Sequence, residues 1–566
     1  MSICQINCIH IGERIMSDCL KLANLLFPDI HETPEELMEK TFPARNLKQG
    51  AAVTRFAPSP TGFLHIGGVF ASMAAERTAH LSDGVCILRI EDTDKKREMD
   101  DGVSIIVNGL ADFGIRFDEG VHADGSESGD YGPYTQSKRR YPYHVFCKAL
   151  VEKGLAYPCF CTAERLSEIR AEQEKNNVTP GYWGEYTEQC RNRSIEEIEE
   201  LIKQGVPYVV RVKSPGKVGG RVKFRDIIRG DIEMEENFVD VVLLKSDGIP
   251  TYHFAHIVDD TLMRVTHVTR GEEWIASAPI HLQLFWLCGL KAPKYAHVPS
   301  IMKEDGGGKR KLSKRKDPEA AVSYFVEEGY PADAVMEYLL TIANSNFEDW
   351  RRQNKTAHYT TFPFALNKMS PSGALFDLAK LQSVSGTVIS LMTAEQVLES
   401  VLAWAERYDK QLYDVLSADK QKALSIFSVD RGGNKPRKDI AKWNEVRAYI
   451  SYFYDELREQ SGEVLEIAAA DQKAIIEKYL TVYSPDHDKD TWFATIKGMC
   501  EGLGFCPDVK QYKADPTGFK GHVGDVSSVI RVAVTGRKNT PDLHAVMTIM
   551  GKETVCARLN EYLERI

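Results

Sequence analysis

The period of apolar positions changes along this chain, and the changes mark its parts. Up to residue 50 the regular stretch is Leu20, Leu22, Leu25, Leu26 and Phe27, which predicts one short amphipathic helix stopped by Pro28. Residues before Met16 carry no pattern, and Met16 is one expected start of translation. From residue 51 the pattern sharpens. A strand-like run over 52–57 enters the Pro/Gly-rich turn PSPTGFLHIGG (58–68), and a helix follows over VFASMAAERTAHL, ending before Gly84. VCILRI (85–90) reads as a near-continuous apolar strand with an acidic exit, EDTD (91–94). Val103, Ile106, Leu110 and Phe113 return to helical spacing. Strand–helix–strand–helix order predicts a parallel sheet in an α/β domain.

Residues 155–235 break the alternation with CFC, a charged helix-like stretch (163–177), a Pro/Gly turn and the strand-like YVVRV (208–212), and so read as an inserted α+β subdomain. Alternation resumes at 241–260 and 264–274, with a helix near 279–289. After about residue 320 helical patterns dominate, for example over 333–343, 395–408, 437–458 and 543–565. The expected fold is multi-domain: an α/β, Rossmann-like parallel-sheet domain with an insertion, then an all-α half. Its expected parts are an extension (1–50), the first half of the α/β domain (51–154), the insertion (155–235), the second half (236–320), a helical domain (321–395) and a final α-helical domain (396–566).

Length and composition fit that picture: 566 residues are enough for several domains, and 43% hydrophobic with 27% charged residues is a globular balance. No apolar run approaches 18 residues, so no membrane span is expected, and the first residues lack a secretory h-region. Twelve Cys without even spacing suit a reducing cytoplasm better than a disulfide framework. A net charge of −10 excludes a protein that coats nucleic acid indiscriminately. Any nucleic-acid contact must use local patches, such as 303–317, which carries a net +4.

Neither G-x-G-x-x-G after a strand nor G-x-x-x-x-G-K-[ST] occurs, which disfavours a dinucleotide oxidoreductase and a P-loop NTPase. Phosphate handling must use another device. In RFAPSPTGFLHIGG (55–68) a strand ends, a stiff turn follows, and His65, Gly67 and Gly68 fall at a helix N-terminus, where amides and the helix dipole favour anions. A plain βα turn with a surface His fits the same residues. In KLSKR (311–315), after the glycines 306–308, clustered cations suit a loop that closes on a polyphosphate, although a solvated basic loop fits too. Cys159-x-Cys161, with Cys190 downstream, can hold Zn²⁺ or be three unliganded thiols.

Together these motifs resemble those of the class I aminoacyl-tRNA synthetases. His65–Gly68 is similar to their HIGH element, with Gly68 in place of the last His, and Lys311–Arg315 to their KMSKS loop. LRIEDTD (88–94), DGIPTYHFAHIVDDTLMRVTHVTRGEEW (247–274) and KLSKRK narrow the resemblance to bacterial-type glutamyl-tRNA synthetases. It runs from about Val53 to VIRVAVTGRKNTPDL (529–543), and residues 1–50 resemble the extension of a longer bacterial form.

The resemblance implies a glutamate–tRNA ligase, using ATP with Mg²⁺, L-glutamate and tRNA(Glu), acting in the cytoplasm as a monomer. His65, Lys311 and Lys314 would be catalytic. His65, Gly67, Gly68, Glu273, Ile301, Lys311, Leu312, Ser313, Lys314 and Arg315 would hold ATP, and Arg55, Ala57, Ser59, Glu91, Tyr252, His256 and Arg270 would hold glutamate. His256 stands where some relatives carry Asn, and His can gain a proton near neutral pH. A structural Zn²⁺ on Cys159, Cys161, Tyr186 and Cys190 is similar to the C-x-C…Y-x₃-C site of some relatives; others use C-x-C…C-x-H, and Asn192 occupies that last place here. The insertion would meet the tRNA acceptor end, 321–395 the stem and 396–566 the anticodon, with Trp350, Arg351, Arg352 and 431–438 as candidates or as solvated loops. Alternatives are an enzyme that also charges tRNA(Gln) and a non-catalytic tRNA-binding paralogue.

Overall fold

The computed structural model describes residues 16–60, 64–94, 99, 101–313, 315–433, 435–458 and 463–566. The chain divides into two compact units: Met1–Tyr324 with Leu339–Asp377, and Phe325–Tyr338 with Leu378–Ile566.

In the first unit, the short apolar runs form parallel strands. Val53–Phe56 pairs in register with Val85–Leu88, which pairs with Glu119–Val121. A second sheet pairs His267–Gly271 with Lys294–Val298, also in parallel. The two sheets meet edge to edge: the Thr266 amide donates to Val53 O at 2.9 Å and the Val53 amide to Thr266 Oγ1 at 2.8 Å. Strands from both halves of the α/β domain therefore lie side by side. The helices Ile66–His80, Arg140–Glu152, Tyr252–Leu262 and Ala278–Leu287 cover them, burying Phe70, Phe146, Phe254 and Phe285.

The insertion does not form a sheet of its own from 155–235 alone. Ala156–Cys159 and Val209–Val212 pair antiparallel, and Val242–Leu244, beyond that stretch, closes this sheet. The hairpin Arg221–Asp226/Gly230–Glu235 instead joins the second parallel sheet through Asp226 and Tyr295. Apolar periodicity marks strands but carries no information on which distant strand will pair.

Residues 16–50 are bound to the core of the first unit. A helix over 16–26 and a second, Pro34–Lys40, place Ala23, Leu26, Phe27, Leu37 and Phe42 in the same apolar cluster as Ile87, Phe146 and Phe254. Thr33 and Glu36 form a capping box that starts the second helix. Arg45 grips Glu119 bidentately at 2.6 and 2.8 Å and donates to Met263 O at 3.1 Å.

The second unit is helical. Ala394–Tyr408, Ala469–Val482, Lys489–Leu503, Val523–Thr535 and Leu543–Arg565 surround Val401, Ile476, Ile496, Ile530 and Leu559. Two expected helices are interrupted. Gly551, at φ 82° and ψ 158°, breaks the last one. The stretch 437–458 becomes short turns rather than one helix, because consecutive residues Ser451, Tyr452, Phe453 and Tyr454 are all buried, and a regular helix cannot bury every side chain against one face. Among the described residues no helix is long and apolar enough to cross a membrane.

Candidate active site

A cleft of about 530 Å³ opens at the carboxyl ends of the parallel strands. Arg55, Ala57, Ser59, His65, Gly67, Gly68, Glu91, Tyr252, Arg270, Glu273, Ile301 and Lys311 line it. The topology explains the convergence: Arg55 lies in the strand Val53–Phe56, Glu91 follows Val85–Leu88, and Arg270 lies near the end of His267–Gly271. Open α/β sheets gather ligand groups at such ends. Thr93, Asp94, Thr269, Trp274 and Ser300 also line the cleft and were missed from the sequence. They lie within five residues of Glu91, Arg270 or Ile301, so their neighbours were the only signal.

One end of the cleft is a buried ion network. Asp260, fully buried, accepts from Arg55 Nε at 3.3 Å and from Arg89 Nη1 at 2.6 Å. Arg55 Nη1 also donates to Thr269 O at 3.2 Å, while Nη2 has no partner among the described residues. A guanidinium carries five N–H donors, so three of Arg55's remain for a ligand. Arg89 Nη2 donates to Glu91 Oε1 at 3.1 Å. Burial raises the Glu91 carboxyl above its ordinary range, against the lowering by Arg89 and Arg55. Asp260 is driven the other way: burial alone would raise it, but Arg55 and Arg89 hold it well below the usual carboxylate range.

His256 lies behind the cleft and does not line it. Its Nε2 meets the Tyr295 hydroxyl at 2.9 Å, and Nδ1 lies 3.1 Å from Asp260 Oδ2 but outside hydrogen-bond alignment. Burial pushes its pKa down to about 3, so the ring stays neutral near neutral pH despite Asp260.

The other end is polar and more open. His65 caps the helix Ile66–His80, its Nδ1 accepting from the Gly67 amide at 3.0 Å. Lys311 is exposed and reaches Glu273 Oε2 at 3.6 Å. It ends a β-hairpin, Ile301–Asp305 with Gly308–Lys311, whose turn places Gly306 and Gly307 at φ 57° and 88°. The glycines before the cationic stretch thus make a tight hairpin turn in left-handed backbone. Several cations of the +4 patch are already held in ion pairs. Arg310 grips Asp317 and Asp305, and Lys303 pairs with Asp317 and Glu319. Leu312 is buried, its amide bonded to Ile301 O, and Ser313 donates to Asp317. Leu312, Ser313 and Arg315 do not line the cleft, and Lys314 lies outside the described residues.

In the insertion, the sulfurs of Cys159, Cys161 and Cys190 lie within 4.8 Å of one another, with Cys161 and Cys190 3.7 Å apart. Tetrahedral Zn–S bonds of about 2.3 Å give sulfur separations of about 3.8 Å, so the thiols fit a zinc ion. A different tyrosine from the expected one stands beside the sulfurs. The Tyr182 hydroxyl, rather than that of Tyr186, meets Cys161 Sγ, at 3.2 Å, while Tyr186 packs on the rim of this cluster. Tyr182 is buried, whereas Tyr186 lies half-buried in the 3-10 turn Gly184–Thr187, near the charges of Glu172 and Glu185. Hydrogen bonds from Cys161 and Cys190 lower the Cys159 thiol, and the same sharing raises Cys161.

Comparison with known proteins decides the family. The description "tRNA synthetases class I (E and Q), catalytic domain" matches residues 51–383, and "Anticodon binding domain" matches 514–563. A glutamate–tRNA ligase of Clostridium perfringens (strain SM101 / Type A) is 52% identical over 549 residues, covering 96% of this chain and 99% of the relative. The chain belongs to the glutamate–tRNA ligases, class I. A more distant glutamate–tRNA ligase, of Sorangium cellulosum, is 44% identical across 95% of this chain and all of its own. The solved glutamate tRNA ligase of Elizabethkingia meningosepticum, in complex with its amino acid, is 28% identical with a TM-score of 0.72, covering 91% of this chain and 99% of that one. As in other class I ligases of this family, a Rossmann-like catalytic region is followed by a mostly helical one.

Proposed function

We propose that the cleft activates L-glutamate with ATP and passes the glutamyl group to the 3′ end of tRNA(Glu). The observation that carries the substrate reading is the Arg55 fork: a buried cation, anchored through Nε and Nη1, with three N–H donors left at the cleft. A planar guanidinium matches a γ-carboxylate bidentately, whereas glutamine would turn an NH₂ toward the same donors. Glu91 would take the α-ammonium, whose charge would favour the ionised carboxyl that burial disfavours. Ala57, Ser59, Tyr252 and Arg270 complete this end.

The α-carboxylate then attacks the α-phosphate of ATP, and pyrophosphate leaves. Mg²⁺ enters with ATP as part of the substrate. Positioning and charge stabilisation supply most of such a step. His65, Gly67, Gly68, Glu273 and Ile301 would hold the nucleotide, with Lys311 and Lys314 stabilising the charge that builds on the leaving group. His256, neutral and behind the wall, would support Tyr295 and Asp260 rather than touch glutamate. Arg55→Ala is expected to lower kcat/KM for glutamate by about three orders of magnitude. ATP–pyrophosphate exchange with glutamate, run with tRNA, checks this; near-native activity removes Arg55 from the pocket.

The insertion would hold a structural Zn²⁺ through Cys159, Cys161 and Cys190, with Tyr182 beside it, fixing its fold. Elemental analysis after purification in metal-free buffer tests this, and less than about 0.2 Zn per chain would end it. For the anticodon, 431–438 is the better of the two candidates. Arg437 lines a cavity of about 320 Å³ with Tyr449, Tyr452, Arg537 and Asn539, a setting suited to an unstacked base. Arg431 is spent on the carbonyls of Phe427, Ile389 and Met392, and Arg351 on those of Asn354 and Ala357. Charging of purified tRNA(Glu) beside tRNA(Gln) measures the tRNA range.

A further inference from the structure

Arg270 reaches the cleft with most of its hydrogen-bonding capacity already used. Nε donates to His297 Nε2 at 3.0 Å. Nη1 donates to the Tyr252 hydroxyl at 3.3 Å and to His281 Nδ1 at 3.1 Å, and Nη2 to the Trp274 carbonyl at 3.2 Å. Of five N–H donors, one on Nη2 is left for a ligand. Arg270 therefore aims a single bond into the cleft, and its value depends on how firmly the guanidinium is aimed.

Two of its acceptors are imidazole nitrogens, and an imidazole nitrogen accepts only while it carries no proton. Each ring's tautomer is thereby dictated. His281 must carry its proton on Nε2, which faces His253 Nδ1 at 3.1 Å. His297 must carry its proton on Nδ1, which lies 2.7 Å from Asp226 Oδ2. The same oxygen accepts the His297 backbone amide at 3.0 Å, and Oδ1 accepts the amides of Ile228 and Arg229 at 2.9 Å. Asp226 and His297 are 1% and 0% exposed, so no water competes for this contact. The Tyr295 ring stacks on His297 with an interplanar angle of 8°, and the Arg270 guanidinium lies 4.8 Å from that ring's centre.

We propose that Asp226, acting through His297, is a positioning residue for glutamate binding. Its carboxylate selects the His297 tautomer that accepts from Arg270 Nε, and so fixes both Arg270 and the Tyr252 hydroxyl at the cleft wall. The opposite tautomer would turn an N–H onto the Arg270 N–H and swing the guanidinium away. This rests on the reading of Arg270 as a glutamate-binding group. The partner that orients an imidazole commonly decides which nitrogen does the work.

The test is steady-state charging of purified tRNA(Glu) by the full chain, with KM measured separately for glutamate and for ATP. Asp226→Asn lets the ring take either tautomer and is expected to raise the glutamate KM by about tenfold while the ATP KM stays within about twofold. Adding His297→Gln to Asp226→Asn supplies an amide oxygen that accepts from Arg270 without a carboxylate, and is expected to lower the glutamate KM again. A purely structural loss would not be rescued this way. An unchanged glutamate KM in Asp226→Asn, or equal rises in both KM values, overturns the relay. If Asp226→Asn does not fold, His297→Gln and His297→Leu in the native chain decide. Gln is expected to keep the glutamate KM and Leu to raise it, and equal values overturn the relay. Arg270→Ala separates the two levels of the argument: an unchanged glutamate KM there refutes the reading of Arg270 itself.

Discussion

At one end of the cleft Arg55 and Arg270 are 3% and 6% exposed and are fixed by Asp260, Thr269, His281, His297 and Trp274. At the other, the Lys311 side chain is 57% exposed and has Glu273 at 3.6 Å. The first end has met the cost of desolvating its charges during folding, so a ligand finds donors already aimed. The second keeps its cation hydrated, where a single ion pair is worth little until a polyanion brings several charges close. On the proposed reading, discrimination between similar small molecules falls to the rigid end, and transient stabilisation of a changing polyphosphate to the open one.

The sharpest way to break this contrast is Asp260→Ala. It would leave Arg55 and Arg89 buried without their shared anion, and the expected loss is about 3–5 kcal/mol of stability together with loss of glutamate activation. Urea unfolding measures the first, and a loss under about 1 kcal/mol would mean the network is not what holds this end rigid.

A smaller effect concerns His256. Its folded pKa of about 3 lies below the unfolded value of about 6.5. Between those values the unfolded chain binds a proton that the folded chain does not. The ring's contribution is therefore complete above about pH 6.5 and is lost as pH falls toward 3. His256→Asn should flatten this acid limb by a few kcal/mol, seen by comparing unfolding at about pH 4 and pH 7. An identical limb in the variant would mean the ring is not held neutral.

Lys311→Ala probes the open end and should do least: about a tenfold loss in kcat/KM for ATP, with stability within about 0.5 kcal/mol of the native chain. Salt should erode the native advantage as it screens the exposed cation. A destabilised variant would show that this end, too, is structurally committed.

Much of the catalytic fold was legible, because VCILRI and the run before the Pro-rich turn are apolar strands and the spacing after each is helical. The residues that line the cleft could be named because they cluster in quoted motifs. Asp260 was not named, although its signal was present: the doublet Asp259-Asp260 directly follows the apolar Ile257-Val258 in a helix, and carboxylates buried there must be paired. Arg89, directly after the apolar strand Val85–Leu88, was the matching cation. The Y-x₃-C spacing favoured Tyr186, whereas the hydroxyl beside Cys161 is that of Tyr182, whose ring is buried. The net charge of 303–317 counts its acids but does not show that Arg310 and Lys303 are held by acids of that stretch and by Glu319 on its flank. Residues 16–50 looked separable because their apolar positions are few, yet Ala23, Leu26, Phe27, Ile30, Leu37 and Phe42 all pack into the central core.

The edge at which Val53 meets Thr266 joins residues 213 apart in the chain, and Arg55 finds Asp260 across 205. During synthesis, the first sheet therefore leaves the ribosome with an open flank and a guanidinium that has no anion to meet. Its partner strand emerges only after the whole insertion has been made. Such long-range closure is slow and leaves apolar edges exposed in the meantime. The insertion, whose strands pair nearer in sequence, can form first and hold the two halves of the catalytic region within reach of each other.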